Sequence, residues 1–194
     1  MAQSTGSKKI KTAVFISGTG SNLQSLIKFS KLKKSPISIK MIVSNNAKSK
    51  GLAFCKIYKI KKKIFNFKNQ STSEKELLLK LNKNKIDLIC LAGFMKILSK
   101  NFIKKFEGKI LNIHPSLLPK YKGLNTHKKA IENKEKFSGC TVHLVNSRLD
   151  SGKIIMQKKV KINKNDNYKT LGKKILKQEH LLYPKAIKKF ISNL

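Results

Sequence analysis

Acidic residues are scarce in this sequence of 194 residues, where nine Asp and Glu stand against 44 Lys and Arg and give a formal net charge of +35. Such an imbalance first suggests a polyanionic partner such as nucleic acid. Arginine is nearly absent, however, because Arg148 is the only one, and proteins that read bases or clamp phosphates rely on arginine's planar fork. We therefore expect no specific nucleic-acid partner, although the lysines would attract small anionic substrates toward a cleft.

Long apolar runs and secretory signals are also missing. No stretch of about 18 apolar residues occurs, so no membrane-spanning helix is expected, and residues 1–9 lack the apolar centre of a signal peptide. The three cysteines, Cys55, Cys90 and Cys140, share no short spacing, which favours reduced thiols in a cytoplasmic protein. We expect a flexible tail at 1–10, a single domain at 11–194, and a monomer or homodimer.

Short apolar runs alternate with helical patterns along most of the chain. Strands are expected at 12–16, 37–43, 64–67, 86–92, 110–114, 141–145 and 154–160. Helices are expected at 23–29, 50–59, 73–83, 99–106, 167–178 and 183–192, the third opening with a capping box from Ser73 to Glu76. This alternation predicts an α/β fold with a doubly wound, mostly parallel sheet of about seven strands, helices on both faces and a C-terminal hairpin region.

A glycine turn separates the first strand from the first helix. Gly18 and Gly20 allow a tight turn, and Ser21 and Asn22 then open the helix, whose free N–H groups suit a phosphate. Leu23 stands where a dinucleotide fingerprint has its third glycine, and no Gly-Lys-Ser/Thr of a nucleotide-triphosphate loop follows. A single phosphate and a simple tight turn are the two interpretations that remain.

Four polar residues farther along are candidates for chemistry. Asn112 and His114 lie two apart at the end of a predicted strand, so both side chains project to one face, where an amide could stabilise an oxyanion and an imidazole could handle a proton. Asp150 lies in a turn and could orient His114, and Glu179 could receive a substrate amine or hydroxyl. A capped strand end, ordinary turn chemistry and a solvated charge between two helices are the simpler alternatives.

Several separated motifs occur in one order along the chain. They are Ile16-Ser17-Gly18-Thr19-Gly20-Ser21-Asn22-Leu23-Gln24, Leu91-Ala92-Gly93-Phe94-Met95-Lys96-Ile97-Leu98-Ser99, Leu111-Asn112-Ile113-His114-Pro115-Ser116-Leu117-Leu118-Pro119-Lys120-Tyr121, Gly139-Cys140-Thr141-Val142-His143, Leu149-Asp150-Ser151-Gly152 and Gln178-Glu179-His180. Together they resemble the folate-using glycinamide ribonucleotide formyltransferase family over residues 11–190. The long central motif resembles formyl-folate enzymes in general.

The resemblance implies an activity and a role for each matching position. It implies transfer of a formyl group from 10-formyltetrahydrofolate to the amine of N1-(5-phosphoribosyl)glycinamide in purine biosynthesis, without a metal. The catalytic group would be Asn112, His114 and Asp150; the phosphoribosylglycinamide site would contain Gly20, Ser21, Asn22 and Glu179; and the folate site would contain Met95, Lys96, Ile97, Leu98 and Asn112.

Two positions depart from the family's sequence pattern, and two alternative functions remain open. An arginine that contacts folate in the family has no match ahead of the third helix, where Gln70 falls and Lys68 is a nearby charge, and Lys96 stands where relatives often carry arginine. A methionyl-tRNA formyltransferase shares the central motif, but the residues from Leu124 to His127 and the lack of a tRNA-binding domain favour the purine enzyme. A basic nucleic-acid-binding module is the alternative of a different class.

Overall fold

Seven strands form one sheet in the order β3-β2-β1-β4-β5-β6-β7 in the computed structural model, which describes residues 9–194. The strands are β1 (Ile10–Ile16), β2 (Ile37–Ser44), β3 (Lys61–Ile64), β4 (Leu88–Leu91), β5 (Lys109–His114), β6 (Phe137–Leu144) and β7 (Ile154–Lys161). The helices are α1 (Ser21–Ser30), α2 (Ala53–Ile57), α3 (Gln70–Lys83), α4 (Lys100–Lys105), α5 (Thr126–Glu132) and α6 (Tyr168–Ile191), with a 3₁₀ turn at Lys50–Leu52. The predicted fold class is confirmed.

Strand direction changes twice across the sheet, and both changes involve β6. Strands β1 to β5 pair in parallel, whereas β6 runs antiparallel to β5 and β7 antiparallel to β6. The chain first adds β2 and β3 on one side of β1 and then places β4 to β7 on the other side. The direction in which strands are added therefore reverses between β1 and β4. Ligands of open α/β sheets bind beyond the carboxyl ends of strands at such a reversal.

Two apolar clusters cover the two faces of the sheet. Alternate residues of β1 divide between them, with Val14 and Ile16 in the first cluster and Ala13 and Phe15 in the second. Helices α1 and α6 pack in the first cluster, and α3 and α4 pack in the second. The central strands are therefore buried on both faces, which explains their nearly continuous apolar sequence.

Two local predictions near β3 and α3 are wrong. The third strand is Lys61–Ile64 rather than 64–67, because this edge strand pairs with β2 through its backbone while all four side chains stay exposed. The capping box from Ser73 to Glu76 does not form, because Asn69 caps α3 earlier by accepting a hydrogen bond from the Thr72 N–H at 3.2 Å. Asn is as good an N-cap as Ser, so the helix starts at the first one available.

The C-terminal region also differs from the prediction. Residues 167–178 and 183–192 were expected to form separate helices, but α6 runs without a break from Tyr168 to Ile191 and contains Pro184. The predicted hairpin of β6 and β7 is present, although a longer loop joins its strands, and α5 was not predicted. The expected tail at 1–10 lies mostly outside the described residues, and Ile10 already belongs to β1. None of the helices within residues 9–194 has both the length and the apolar character to cross a membrane.

A neighbouring helix compensates for the proline inside α6. Proline has no N–H, so the carbonyl of His180, four residues before Pro184, loses its usual helical donor. The Ser25 hydroxyl of α1 donates a hydrogen bond to that carbonyl at 2.7 Å. The sequence-based split of α6 therefore failed because a tertiary contact outweighs the local signal.

We expect Ser25→Ala to destabilise the protein by about 1–2 kcal/mol, because the partly buried His180 carbonyl then has no donor. In a Pro184→Ala background, where residue 184 regains an N–H, the same substitution should cost much less. Urea unfolding of the four proteins of this double-mutant cycle measures both costs. Equal costs of Ser25→Ala in the two backgrounds would contradict the compensation.

Candidate active site

One cavity of about 830 Å³ opens at the carboxyl ends of β1, β4 and β5. The turn before α1, the loop after β4, the end of β5, the loop before β7 and α6 all contribute to its wall. Its position coincides with the reversal of strand order, as expected for a ligand site in an open α/β sheet.

The turn between β1 and α1 requires glycine at Gly20. Its φ of 77° lies in the left-handed region, and a Cβ there would come within 2.6 Å of the Gly51 Cα. Gly20, Ser21 and Asn22 line the cavity at the N-terminus of α1, where the first N–H groups have no intrahelical acceptor. This end of the cavity is suited to an anionic group.

Glu179 of α6 faces Asn22 across the same end of the cavity. The Asn22 amide donates a hydrogen bond to the Glu179 carboxylate at 2.7 Å, and the Asn22 Oδ1 atom is buried without a protein donor. Burial raises the pKa of the Glu179 carboxyl to about 7, although the Asn22 hydrogen bond lowers it in part. The side chain is only 6% exposed, so the expected solvated charge between two helices is wrong.

Asp150 connects the loop before β7 to the end of β5. Its Oδ2 atom lies 3.3 Å from His114 Nδ1 and accepts a hydrogen bond from the Gly123 N–H at 2.9 Å. Its Oδ1 atom lies 3.5 Å from the Asn112 amide nitrogen and 3.6 Å from His143 Nε2. The three residues expected to share a site therefore meet at one point, although Asp150 is distant from the other two in sequence.

Both ring nitrogens of His114 face oxygen acceptors. Nε2 donates to the Tyr121 carbonyl at 2.8 Å, and Nδ1 faces the Asp150 carboxylate. Burial, and to a smaller extent His143, lower the pKa of His114 below its ordinary value, although the Tyr121 carbonyl and the Asp150 charge raise it in part. Because a carbonyl can only accept, Nε2 carries a proton, and the second proton of an imidazolium would lie on Nδ1 beside the Asp150 carboxylate.

The contacts of Asp150 favour its ionised form. Burial alone would raise its pKa, but the His143 contact, the Gly123 N–H and the charge of His114 outweigh burial and lower the pKa below its ordinary value. An ionised carboxylate therefore lies beside the His114 ring, where it would stabilise an imidazolium whenever the ring takes up a second proton.

His143 orients the Asn112 amide. Its Nδ1 atom donates to the Leu144 carbonyl at 2.8 Å, so in the neutral ring Nε2 carries the lone pair and accepts from the Asn112 Nδ2 atom at 3.2 Å. The second Asn112 N–H has only the long contact to Asp150 Oδ1. It can therefore turn to a ligand oxygen at little cost.

The opposite wall of the cavity is the loop after β4. Met95, Lys96, Ile97 and Leu98 all line it, with Met95 and Ile97 exposed and Leu98 buried. Lys96 is the only ionisable side chain of this segment. The wall thus combines apolar side chains with backbone groups, as sites for flat heterocyclic ligands do.

The structure brings every site residue expected from the sequence to this cavity: Gly20, Ser21, Asn22, Met95, Lys96, Ile97, Leu98, Asn112, His114, Asp150 and Glu179. Their chemical roles stay predictions. Lys68 and Gln70 are absent from the wall, and Gln70 instead contacts the Ile97 carbonyl. Sequence reasoning missed His143 as an orienting group, although strand alternation places it beside Asn112 once β5 and β6 pair.

Cys140 and His143, three residues apart in the sequence, lie in different surroundings. Cys140 packs in the first apolar cluster, whereas His143 contacts Asn112 and lies near Asp150. Among residues 9–194, no group of three His, Cys, Asp or Glu side chains has the geometry to hold a metal ion.

Comparisons with known proteins agree with this geometry. The family model described as "Formyl transferase" matches residues 10–187. The phosphoribosylglycinamide formyltransferase of Haemophilus influenzae is 43% identical over 183 residues, which cover 93% of this chain and 86% of that protein. The human trifunctional purine biosynthetic protein adenosine-3 is 42% identical, but this chain spans only 18% of its length. A crystal structure of the Brucella melitensis phosphoribosylglycinamide formyltransferase superimposes with a TM-score of 0.89 at 42% identity, covering 94% of this chain and 96% of that one.

The fold and the cavity, with these matches, define a formyltransferase. The chain belongs to the formyl transferase family. Within it, the chain matches relatives named phosphoribosylglycinamide formyltransferase along most of their length, including that of Escherichia coli at 38% identity over 85% of the protein.

The buried Glu179 should make stability depend on pH. Because its folded-state pKa of about 7 lies above the ordinary 4.5, the carboxyl favours folding below pH 4.5, and this contribution is lost as the pH rises through 7. Glu179→Gln should therefore stabilise the protein by about 1–3 kcal/mol at pH 8 and by much less at pH 5.5. Urea unfolding at both values measures this, with the exposed Glu76→Gln as control. A gain that is the same at both pH values would contradict it.

Proposed function

We propose that this chain transfers the formyl group of 10-formyltetrahydrofolate to the amine of N1-(5-phosphoribosyl)glycinamide. The observation that carries the proposal is the meeting of Asn112, His114 and Asp150 between an anion-binding helix terminus and an apolar wall. Both proposed ligands are small molecules. Family membership supports formyl transfer from a folate-derived donor, and the names of the relatives support the acceptor.

The two substrates would enter from opposite ends of the cavity. The phosphate and ribose of the acceptor suit the N–H groups at Gly20, Ser21 and Asn22, with Glu179 receiving a hydroxyl or the amine. The donor suits the wall formed by residues 95–98. This arrangement presents the amine and the formyl carbon to each other beside Asn112 and holds the two reactants together, which lowers the entropic part of the barrier.

The reaction proposed is a direct attack without a covalent enzyme intermediate. The amine nitrogen forms a bond to the formyl carbon, and the carbonyl oxygen becomes an oxyanion that accepts a hydrogen bond from Asn112 and faces the positive charge of His114. The amine then gives up a proton, and N10 of the folate takes one up through water as the bond from carbon to N10 breaks. The products are the formylated amide and tetrahydrofolate.

Asp150 would keep His114 charged and in place. We expect Asp150→Asn to lower kcat by about 10²- to 10⁴-fold, because the neutral amide no longer favours the imidazolium. Both KM values should change far less, because Asp150 lies between the two substrate ends. Steady-state kinetics measures this, and Asp166→Asn, which removes a carboxylate paired with Lys174 away from the cavity, is one control. Asp166 has a side chain that is only 5% exposed and also binds Asn163 and Thr170. The exposed Asp87→Asn therefore serves as a second control. Nearly unchanged turnover of Asp150→Asn would remove Asp150 from the mechanism.

The substrate itself is tested by offering alternative acceptors. Purified protein with 10-formyltetrahydrofolate should release tetrahydrofolate with phosphoribosylglycinamide and not with charged initiator tRNA or with water alone. Absorbance of the folate product and mass spectrometry of the acceptor provide the measurement. Turnover only with the tRNA would assign the chain to the methionyl-tRNA alternative, and turnover only with water would make it a hydrolase.

A further inference from the structure

The loop at 93–98, which lines the proposed folate end of the cavity, forms hydrogen bonds to other segments near both of its ends. At its start the Met95 N–H donates to the Ser17 hydroxyl at 2.7 Å, and the Ser17 N–H donates to the Gly93 carbonyl at 3.1 Å. At its far end the Gln70 amide of α3 donates to the Ile97 carbonyl at 2.8 Å. Gln70 itself does not line the cavity, so it could affect a bound ligand only through the loop.

Gln70 is held in turn by a buried carboxylate. Its Nε2 atom also donates to Glu74 Oε1 at 2.9 Å, and Glu74 is only 4% exposed. Glu74 accepts a second bond from the Ser99 N–H at 2.8 Å and a third from the Ser99 hydroxyl. The Ser99 hydroxyl caps α4 by accepting from the Phe102 N–H. The network therefore ties α3 to both the loop and the start of α4.

The orientation of the Gln70 amide follows from its partners. A backbone carbonyl and a carboxylate both accept, so the nitrogen with its two N–H groups must face them. Because Met95 is 62% and Ile97 67% exposed, these loop side chains have little packing of their own to hold the backbone. The hydrogen bond to the Ile97 carbonyl should therefore contribute more to fixing the backbone conformation here than it would in a well-packed segment.

We propose that Gln70 is a positioning residue for the formyl donor, which it serves by fixing the Ile97 backbone from outside the cavity. This inference rests on the proposed function, because it takes residues 95–98 as the folate wall. Without the bond, the loop would sample other conformations, and donor binding would have to restore the one that fits. The acceptor end, at Asn22 and Glu179, has no contact with this network and should be unaffected.

The test is Gln70→Met, which keeps the length of the side chain and removes the donor. Gln70 is exposed, so we expect the fold to tolerate the change, and Lys75→Met, at another exposed position of α3, is the matched control. We expect the KM for 10-formyltetrahydrofolate and the Kd for tetrahydrofolate to rise by about 3- to 10-fold, the factor that one ordinary hydrogen bond represents. The KM for phosphoribosylglycinamide should stay at the wild-type value, and the melting temperature should fall by no more than about 2–4 °C, because Glu74 keeps its two bonds from Ser99.

The outcomes separate this inference from the proposed function. If wild-type protein binds tetrahydrofolate and Gln70→Met binds it equally well, Gln70 does not position the donor. A rise of both KM values together with a larger fall in the melting temperature would also overturn the inference, because it would indicate general loosening. If wild-type protein does not bind tetrahydrofolate at all, the proposed function fails before Gln70 is tested.

Discussion

The buried pair of His114 and Asp150 is the interaction on which the rest of the site depends. His114 Nδ1 lies 3.3 Å from the Asp150 carboxylate, and the two side chains are held by different parts of the chain. His114 ends a central strand, whereas Asp150 arrives from the loop before β7 with a φ of 45°. The Gly123 N–H fixes the carboxylate from a third segment. Each segment constrains the others, so the geometry requires the whole sheet and not one motif.

The topology explains why these segments meet. Parallel strands β1, β4 and β5 end at one edge, and the loop between β6 and β7 places the Asp150 carboxylate beside His114 at the end of β5. Helix α6 then crosses to place Glu179 against Asn22 of α1. The uninterrupted course of α6 matters here, because a break at Pro184 would uncouple Glu179 from the helical segment that packs in the core. Ser25 helps to maintain it through the His180 carbonyl.

Much of this arrangement could be predicted from the sequence, and the failures have physical causes. Apolar patterns gave the layered fold because every central strand is buried on both faces, and the shared face of Asn112 and His114 followed from strand alternation. The edge strand β3 was misplaced because an exposed edge needs backbone pairing and no apolar side chains. Contacts across the sheet, such as His143 with Asn112, depend on pairing register, which no local pattern reveals.

Acidic residues are scarce in this protein, and two of the nine line the cavity. Asp150 and Glu179 are its only acidic lining residues within the described chain, and both side chains are largely buried. Their environments move their pKa values in opposite directions, since His143, Gly123 and His114 lower that of Asp150 while burial raises that of Glu179 to about 7. Opposed shifts of two acids in one cavity leave one ionised and allow the other to change protonation near neutral pH. The lysine-rich surface attracts anions from a distance, whereas the protonation states inside the cavity depend on the local surroundings of these two acids.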